Sequence, residues 1–156
     1  PQIAYEAMEC LGGNGYVEEH VMARLYRQAP LNSIWEGSGN VICLDVLRAM
    51  GREPEALAAL RGELEAAAGR DPRYDAFLGE IDKELEDLTT LEARARRLVE
   101  RLALALQASV LLREDGGAIA EAFLQSRLSE RHGTLGTLAS DAPVALLLER
   151  AHPLRT

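Results

Sequence analysis

The sequence predicts an all-α protein that folds as a helical bundle, and three observations support this fold class. The chain has 156 residues and is rich in leucine and alanine, but it contains only two Phe, one Trp and four Tyr. It has few of the β-branched clusters that a sheet needs. Apolar residues recur at helical spacing, and glycine or proline marks the ends of the periodic segments. We therefore expect antiparallel helices joined by short loops, with almost no strand.

The first part of the chain predicts three elements separated by glycine and proline. Residues 2–11 have the pattern of the last turns of a helix, which Gly12 and Gly13 end. The GGNGY stretch is then predicted to be a loop. Residues 19–28 predict a short amphipathic helix that Pro30 stops, with a turn after it.

The next two helices have clear start signals. Residues 34–50 take on helical period after a glycine-rich start, and Gly51 is predicted to end this helix. Pro54 then opens a helix. Asp71 is predicted to cap the following one, which has Pro72 in its first turn. The apolar positions of these two helices are Leu57, Leu60, Leu64, Tyr74, Phe77, Leu78, Ile81, Leu85 and Leu88.

The longest helix is predicted over about residues 91–114, with Thr89 and Thr90 as candidate caps and two glycines at its end. Residues 118–132 predict another helix, and Asp141 is a candidate cap for a last one over about 142–151. The apolar face of the longest helix is predicted to contain Leu91, Leu98, Leu102, Leu106 and Val110, and that of the next one Ile119, Phe123 and Leu128.

Charge and cysteine content exclude several classes of protein. The formal net charge of −8 argues against overall attraction to nucleic acid or to an anionic membrane. Cys10 and Cys43 are too few for a disulfide framework, which predicts a reduced, cytoplasmic chain. The most apolar stretch, residues 102–112, is far shorter than the ~20 residues that a membrane span needs. Because Pro1 opens directly into helical sequence, we expect a truncated piece of a longer protein.

Metal binding is not expected. His20, His132 and His152 are far apart in the sequence, and neither cysteine has a partner at metal-ligand spacing. The sequence therefore predicts surface or capping roles for the three histidines.

Two short motifs carry the functional information. Residues 35–40 read WEGSGN, and on its own a glutamate followed by Gly-Ser-Gly is typical of a helix start. GGNGY on its own is typical of a helix-ending loop, and no strand precedes it as a dinucleotide-binding fold would require. The two motifs become specific when they are considered together, with Arg27 in the short helix between them.

In this combination the chain resembles the C-terminal region of flavin-dependent acyl-CoA dehydrogenases. That family has a GGNG(F/Y) loop, a short helix with an arginine, and (Y/W)EG(T/S) at the same separation. The resemblance covers about the first fifty residues. It implies a helical C-terminal domain, FAD as cofactor, an acyl-CoA substrate and a homo-oligomer.

The resemblance also implies roles for individual residues. Glu36 falls at the position of the catalytic base, which removes the α-proton of the acyl-CoA thioester while hydride leaves the β-carbon for the flavin. A carboxylate serves this step only in a dry, well-positioned site. Gly37, Ser38 and Asn40 match positions near the adenosine-phosphate part of FAD, and Gly13 matches a position that touches FAD across the dimer interface.

Two residues modify this expectation. Trp35 stands where a tyrosine is common, against the substrate pocket, and its larger ring favours short, branched or aromatic acyl groups. A simple core indole is the alternative interpretation of Trp35. Glu9 stands where the family more often has a glutamine that binds the flavin, and an acid there would repel a pyrophosphate unless it turned away.

A finer resemblance is to the adaptive-response branch of the family, the DNA alkylation response proteins, which have NSIWEGSGN followed by a CLDVLR-like helix. These letters occupy residues 32–40 and 43–48. The branch has an additional C-terminal helical domain, so we predict a domain boundary after residue 51, with the shared bundle in 1–51 and the extension in 52–156. Its members are FAD-containing oligomers with weak dehydrogenase activity and association with DNA.

DNA contact would need a row of cations on one face. The candidates are Arg94, Arg96, Arg97 and Arg101, with Arg48, Arg52 and Arg61 as further members. Charge pairs on the helix surface, with Glu92 and Glu100 among them, explain the same residues without a ligand.

Three functional hypotheses follow. The first is an acyl-CoA dehydrogenase, of which the isolated fragment is inactive. The second is a DNA-associated alkylation-response protein with little turnover, and the third is a helical oligomerisation module.

Overall fold

The computed structural model of the protein describes residues 1–114, 116–129 and 135–152. Within these residues there are α-helices and no strand, which confirms the all-α prediction. No helix in this part of the chain combines the length and the apolar character needed to cross a membrane. The α-helices are α1 Gln2–Cys10, α2 Gly13–Tyr16, α3 Val21–Gln28, α4 Gly39–Arg52, α5 Pro54–Glu65, α6 Pro72–Glu86, α7 Ala95–Glu114, α8 Ala118–Leu124 and α9 Val144–Ala151.

The chain forms two compact units that are divided after Asp45, within α4. The first unit contains α1, α2, α3 and the 3₁₀ segment Ala29–Ser33. It buries only Gly15, Met22 and Ala23, so it has almost no hydrophobic core of its own.

GGNGY is not a loop, and that prediction was wrong. Gly12 has a φ of +58°, which ends α1, and the next four residues form the single helical turn α2. The amide of Gly15 donates to the carbonyl of Gly12 at 3.0 Å. The left-handed residue at Gly12 reverses the chain so sharply that it can resume a helical turn at once.

His20 caps α3, because its Nδ1 accepts a hydrogen bond from the amide of Met22 at 3.1 Å. This confirms the capping role predicted for that histidine. His132 lies outside the described residues. Helix α3 ends before Pro30, as predicted, and Pro30 lies in a 3₁₀ turn over Ala29–Ser33.

The break between α4 and α5 is at Pro54, and not at Gly51 as predicted. Helix α4 continues through Gly51 to Arg52, and Glu53 still donates its amide to Ala49 at 2.8 Å. Glycine weakens a helix by about 1 kcal/mol, whereas proline removes an amide and clashes with the preceding turn. Proline therefore determines where the helix ends.

The second unit has a core formed by α5, α6, α7 and α8. The predicted apolar face of α5 is confirmed, because Leu64 is buried, Leu60 packs against the core and Leu57 lines a cavity of about 40 Å³ beside it. Phe123 and Leu128 also pack against this core, as predicted. The buried core consists of Leu64, Ala67, Tyr74, Phe77, Ile81, Leu98, Leu102, Ala105, Ala108, Leu112, Ala120 and Leu124.

The buried face of α7 differs from the predicted one. Leu98 and Leu102 are buried, but Leu106 and Val110 are exposed. Steps of four residues advance about 40° beyond a full turn each time, so the predicted stripe drifts away from the core. The buried face instead alternates steps of four and three, through Leu98, Leu102, Ala105, Ser109 and Leu112.

Side chains satisfy the last carbonyls of two helices. The Tyr74 hydroxyl donates to the carbonyl of Leu64 at 2.8 Å, and the Ser109 hydroxyl donates to that of Glu63 at 2.6 Å. Arg70 donates to the carbonyl of Leu112 at 3.1 Å. Burial raises the pKa of Tyr74. These bonds hold the end of α5 against α6 and α7.

Asp71 is the N-cap of α6, as predicted. Its carboxylate accepts from the amide of Arg73 at 2.8 Å and also pairs with that guanidinium. The hydrogen bonds from Arg73 lower the pKa of Asp71. Arg73 also pairs with Glu121 at 2.6 Å, so one side chain connects the start of α6 with α8.

Three other candidate caps, Thr89, Thr90 and Asp141, do not cap the helices predicted for them. Thr89 and Thr90 donate their hydroxyls to the carboxylate of Asp87, at 2.6 and 2.7 Å, and a 3₁₀ turn precedes α7. The carboxylate is the stronger acceptor for these hydroxyls. Asp141 does not cap α9, which begins after Pro143, because a proline disfavours helical backbone at the residue before it.

The hydroxyls of Thr89 and Thr90 are expected to set the pKa of Asp87. Hydrogen bonds from Thr89 and Thr90 lower the pKa of Asp87 from 3.8 to about 2. Replacing both threonines by alanine should return it towards 3.8, as measured by NMR titration of the side-chain carboxyl. Because the pKa is lower in the folded chain, the stabilisation by Asp87 is complete above the unfolded pKa and is lost as pH falls towards 2. The Thr89→Ser, Thr90→Ser variant keeps both hydroxyls and should titrate like the parent; an unchanged pKa in the alanine variant would contradict the assignment.

Candidate functional site

Glu36 lies in a tight turn between α3 and α4. The amides of Ile34 and Trp35 both donate to the carbonyl of Leu31, at 2.9 and 3.1 Å, and the amide of Gly37 donates to Ile34 at 3.1 Å. Three successive backbone hydrogen bonds therefore define the path of the chain on both sides of Glu36.

Gly37 turns the chain from Glu36 into α4. Its φ is +119°, in a region that residues with a side chain rarely adopt, and a Cβ there would lie 3.4 Å from Cγ1 of Ile42. The first hydrogen bond of the next helix runs from Ile42 to the carbonyl of Ser38 at 3.0 Å. The turn thus presents Ser38 and Asn40 at the start of α4.

Several exposed apolar residues lie close to Glu36 in the sequence. Ile34 is 61% exposed and Trp35 is 65% exposed, and Val41 and Ile42 at the start of α4 are also exposed. Glu36 itself is exposed. Exposed apolar side chains in such number are typical of a surface that another protein segment or a ligand covers. A carboxylate in such a surface becomes desolvated once it is covered.

The glycines of the first motif differ in their surroundings. A Cβ on Gly13 would meet nothing within 4 Å, whereas a Cβ on Gly15 would lie 2.5 Å from the carbonyl oxygen of Met8. Gly15 is buried against α1, and Gly13 begins α2 with open space beside it. Gly13, like Gly12, therefore leaves room for a group from elsewhere, whereas Gly15 does not.

Glu9 is occupied by a neighbour on the same helix. Its Oε1 accepts a hydrogen bond from the Tyr5 hydroxyl at 3.1 Å, which raises the pKa of Tyr5. The carboxylate is thus directed back along α1.

Arg27, which completes the spacing between the two motifs, has a structural partner. Its guanidinium forms a bidentate pair with Glu18, at 2.6 and 3.0 Å. The hydrogen bonds lower the pKa of Glu18. The pair ties the segment after α2 to the last turn of α3.

The arginines that were candidates for DNA contact lie in the second unit, and three of them converge on one buried carboxylate. Glu84 on α6 accepts from Nε of Arg97 at 2.7 Å and lies 3.4 Å from Arg94 and 3.3 Å from Arg101. Arg101 also pairs with Glu80 at 2.9 Å. Arg94 also donates to the carbonyls of Glu84 and Asp87, and Arg101 stacks on Phe77 at 5.6 Å. These contacts join α6 to the start of α7.

Glu84 was not among the residues predicted from the sequence. The signal was present, since Tyr74, Phe77, Ile81 and Glu84 follow one another in steps of three and four residues and all are buried. A glutamate in phase with an apolar face requires a cationic partner. Gly15 carried no comparable signal, because its contact depends on how α2 lies on α1.

The predicted site residues fall in two groups. Gly13 and residues 35–40 belong to the first unit, and the arginines belong to the second. Among the described residues, no group of three or more His, Cys, Asp or Glu side chains is arranged to hold a metal ion.

Comparisons with known proteins cover residues of both units. Residues 1–51 match the family model of the acyl-CoA dehydrogenase C-terminal domain. A putative acyl-CoA dehydrogenase of Escherichia coli K12, AidB, is 37% identical over 128 residues, which are 82% of this chain and 23% of that protein. Acyl-CoA dehydrogenase family member 11 of Caenorhabditis elegans is 36% identical over 81 residues, 52% of this chain and 13% of that protein.

A third relative is shorter in its match. Mitochondrial isovaleryl-CoA dehydrogenase of Arabidopsis thaliana is 38% identical over 52 residues, 33% of this chain and 13% of that protein. The chain therefore spans less than a quarter of the length of each of these relatives.

Proposed function

Because this chain belongs to the acyl-CoA dehydrogenase family, we propose that it is the C-terminal part of an FAD-dependent acyl-CoA dehydrogenase with Glu36 as the catalytic base. The observation that carries the proposal is the position of Glu36, on a hydrogen-bonded turn with exposed apolar residues close to it in the sequence. A base that removes a weakly acidic proton needs a defined position and a dry environment.

Glu36 would accept the proton from the carbon next to the thioester carbonyl. The backbone bonds on both sides of it hold the main chain at Glu36, which would limit the positions from which its carboxylate meets the substrate. The apolar surface formed by Ile34, Trp35 and Ile42 would exclude water once the acyl chain and the rest of the protein cover it. The indole of Trp35 would limit the space for the acyl chain, which favours short, branched or aromatic acyl-CoA thioesters.

The open space beside Gly13 is the feature of this structure that supports a fit to FAD. Gly13 has open space where a Cβ would be, so a flavin nucleotide could approach the backbone there. Gly37, Ser38 and Asn40, at the start of α4, would supply further contacts through backbone, hydroxyl and amide groups. When bound, FAD supplies the acceptor for the hydride. The carboxylate of Glu9 accepts a hydrogen bond from Tyr5 on the same helix. This contact directs the charge towards Tyr5, which would lessen its repulsion of the pyrophosphate.

The intact protein would be a cytoplasmic homo-oligomer of the adaptive-response branch. The apolar residues left exposed in the first unit, among them Ile3, Tyr16 and Leu31, support further protein segments or a second copy covering that unit. The isolated chain would be inactive, since it carries only part of such a site.

DNA association is the weaker alternative. Arg94, Arg97 and Arg101 are each paired with acidic side chains inside the second unit, so their charge is partly neutralised before any phosphate approaches. The pairs favour a structural role for these arginines, and we base the function on the flavin chemistry.

The proposal is tested by the anaerobic flavin absorbance of the intact protein, titrated with isobutyryl-CoA. We expect the thioester to bleach the flavin, and Glu36→Gln to slow the bleaching by about 10²–10⁴-fold, the range typical of a lost general base. Glu53→Gln removes an exposed glutamate of the second unit and should bleach like the parent. If the parent bound flavin firmly but did not bleach, the proposed dehydrogenase activity would be rejected. If Glu36→Gln bleached at the normal rate, the proposal that Glu36 is the base would be rejected.

A further inference from the structure

Each glycine of the GGNG motif has a different structural environment. Gly12 ends α1 through its φ of +58°. Gly15 is the buried residue of α2, and Gly13 is neither buried nor held at positive φ. The motif thus contains one glycine for the turn, one for packing and one that nothing within this unit requires.

The contact at Gly15 is with backbone and leaves no room to yield. A Cβ would lie 2.5 Å from the carbonyl oxygen of Met8 and 3.2 Å from its carbonyl carbon, and 3.1 Å from Cβ of Leu11. The Met8 carbonyl accepts the amide of Leu11 at 3.2 Å in the closing turn of α1, so it cannot rotate away without breaking that turn. Any side chain at position 15 must therefore lift α2 off α1.

The open face of Gly13 depends on this contact. Gly13 and Gly15 belong to the same helical turn, which is closed by the bond from Gly15 to the carbonyl of Gly12 at 3.0 Å. Because Gly13 and Gly15 share this one hydrogen-bonded turn, a displacement at Gly15 is transmitted to Gly13. The distance between α1 and α2 therefore determines the position of the Gly13 backbone relative to α1.

We propose that Gly15 is a positioning residue, which seats α2 on the Met8 carbonyl so that the open backbone of Gly13 meets the cofactor. The inference rests on the proposed function, in which Gly13 approaches FAD. Gly15 touches no cofactor in this proposal; it acts through Gly13 alone. Its effect should therefore be on the binding of FAD and not on the proton transfer by Glu36.

The test measures FAD binding to the intact apoprotein by quenching of flavin fluorescence, at a temperature where circular dichroism shows each variant folded. Gly15→Ala should raise the Kd for FAD at least about tenfold, as expected when one close contact of a ligand is lost. At saturating FAD, the rate of flavin reduction by isobutyryl-CoA should stay within about twofold of the parent, because Glu36 is untouched. A variant that only weakens the fold would not produce this split.

Two controls separate positioning from stability. Met22→Ala removes a buried side chain of the same unit and should lower the melting temperature without changing the Kd for FAD. Gly51→Ala replaces a helical glycine that also has open space beside it and should change neither the Kd nor the reduction rate. If Gly15→Ala does not fold, Gly12→Ala is measured instead, because Gly12 has positive φ and a side chain there disturbs the same turn. The proposal then requires Gly12→Ala to raise the Kd for FAD by the same amount.

The outcomes distinguish this inference from the proposed function. A parent that binds FAD, with an unchanged Kd in folded Gly15→Ala, overturns the inference and leaves the proposed function standing. A parent that binds no FAD overturns both. Equal losses in FAD affinity and in the saturated reduction rate would also overturn the inference, since they would show damage to the whole site.

Discussion

Replacing Glu84 by alanine is expected to destabilise the second unit by about 3–5 kcal/mol, the range found when one partner of a buried charge pair is removed. The Glu84 side chain is only 4% exposed and is the common partner of Arg94, Arg97 and Arg101. Without it, three positive charges face one another around an emptied space. Urea unfolding followed by circular dichroism measures the loss.

Glu80 provides the matched control, because it lies on the same helix and pairs with Arg101, but its side chain is 56% exposed. Glu80→Ala should lower the free energy of unfolding by less than about 1 kcal/mol. If the two variants lost similar amounts of unfolding free energy, the buried contacts of Glu84 would contribute no more to stability than the exposed pair of Glu80. Within the described residues, Oε2 of Glu84 and Nε of Arg101 have no hydrogen-bond partner, so the attraction between Glu84 and Arg101 depends on charge more than on hydrogen-bond geometry.

The two units are expected to differ completely in their ability to fold alone. Residues 46–156 should unfold in one cooperative thermal transition, because the core around Tyr74, Leu98 and Leu102 lies entirely within them. Residues 1–45 should remain unfolded, because they bury only Gly15, Met22 and Ala23. Segments of roughly this length seldom fold without a metal, disulfides or a partner.

Circular dichroism and amide-proton NMR dispersion of the two separate segments measure this difference. Leu98→Ala in the 46–156 segment should lower the melting temperature, since a buried leucine truncated to alanine typically loses about 2–5 kcal/mol, and this verifies that the transition reports on the core. A cooperative transition in the 1–45 segment would contradict the expectation, as would an unfolded 46–156 segment.

Local sequence signals determined the helical fold and several helix ends. The Asp71-Pro72 start of α6 and the start of α5 at Pro54 follow from the chemistry of single residues, because a cap or a missing amide acts within one turn. The pairing of GGNGY with WEGSGN likewise indicated the family, since both motifs are contiguous strings. The roles of Glu36, Gly13 and the other proposed site residues stay predictions.

Tertiary structure decided how these elements use their side chains. Thr90 could cap a helix in isolation, but in the folded chain its hydroxyl donates to Asp87 and its oxygen accepts from Arg94. Arg97 looked like one of several surface cations until α6 brought Glu84 beside it. Each choice depends on which competing partner the fold brings within about 3 Å.

Gly15 shows the same limit most clearly. By itself the sequence established that a glycine-rich turn follows α1, because glycine alone accepts the backbone at Gly12 without strain. It could not distinguish Gly13, with open space beside it, from Gly15, pressed against the Met8 carbonyl. That distinction arises only when α2 packs on α1, since the contact joins residues seven positions apart whose distance no local rule sets.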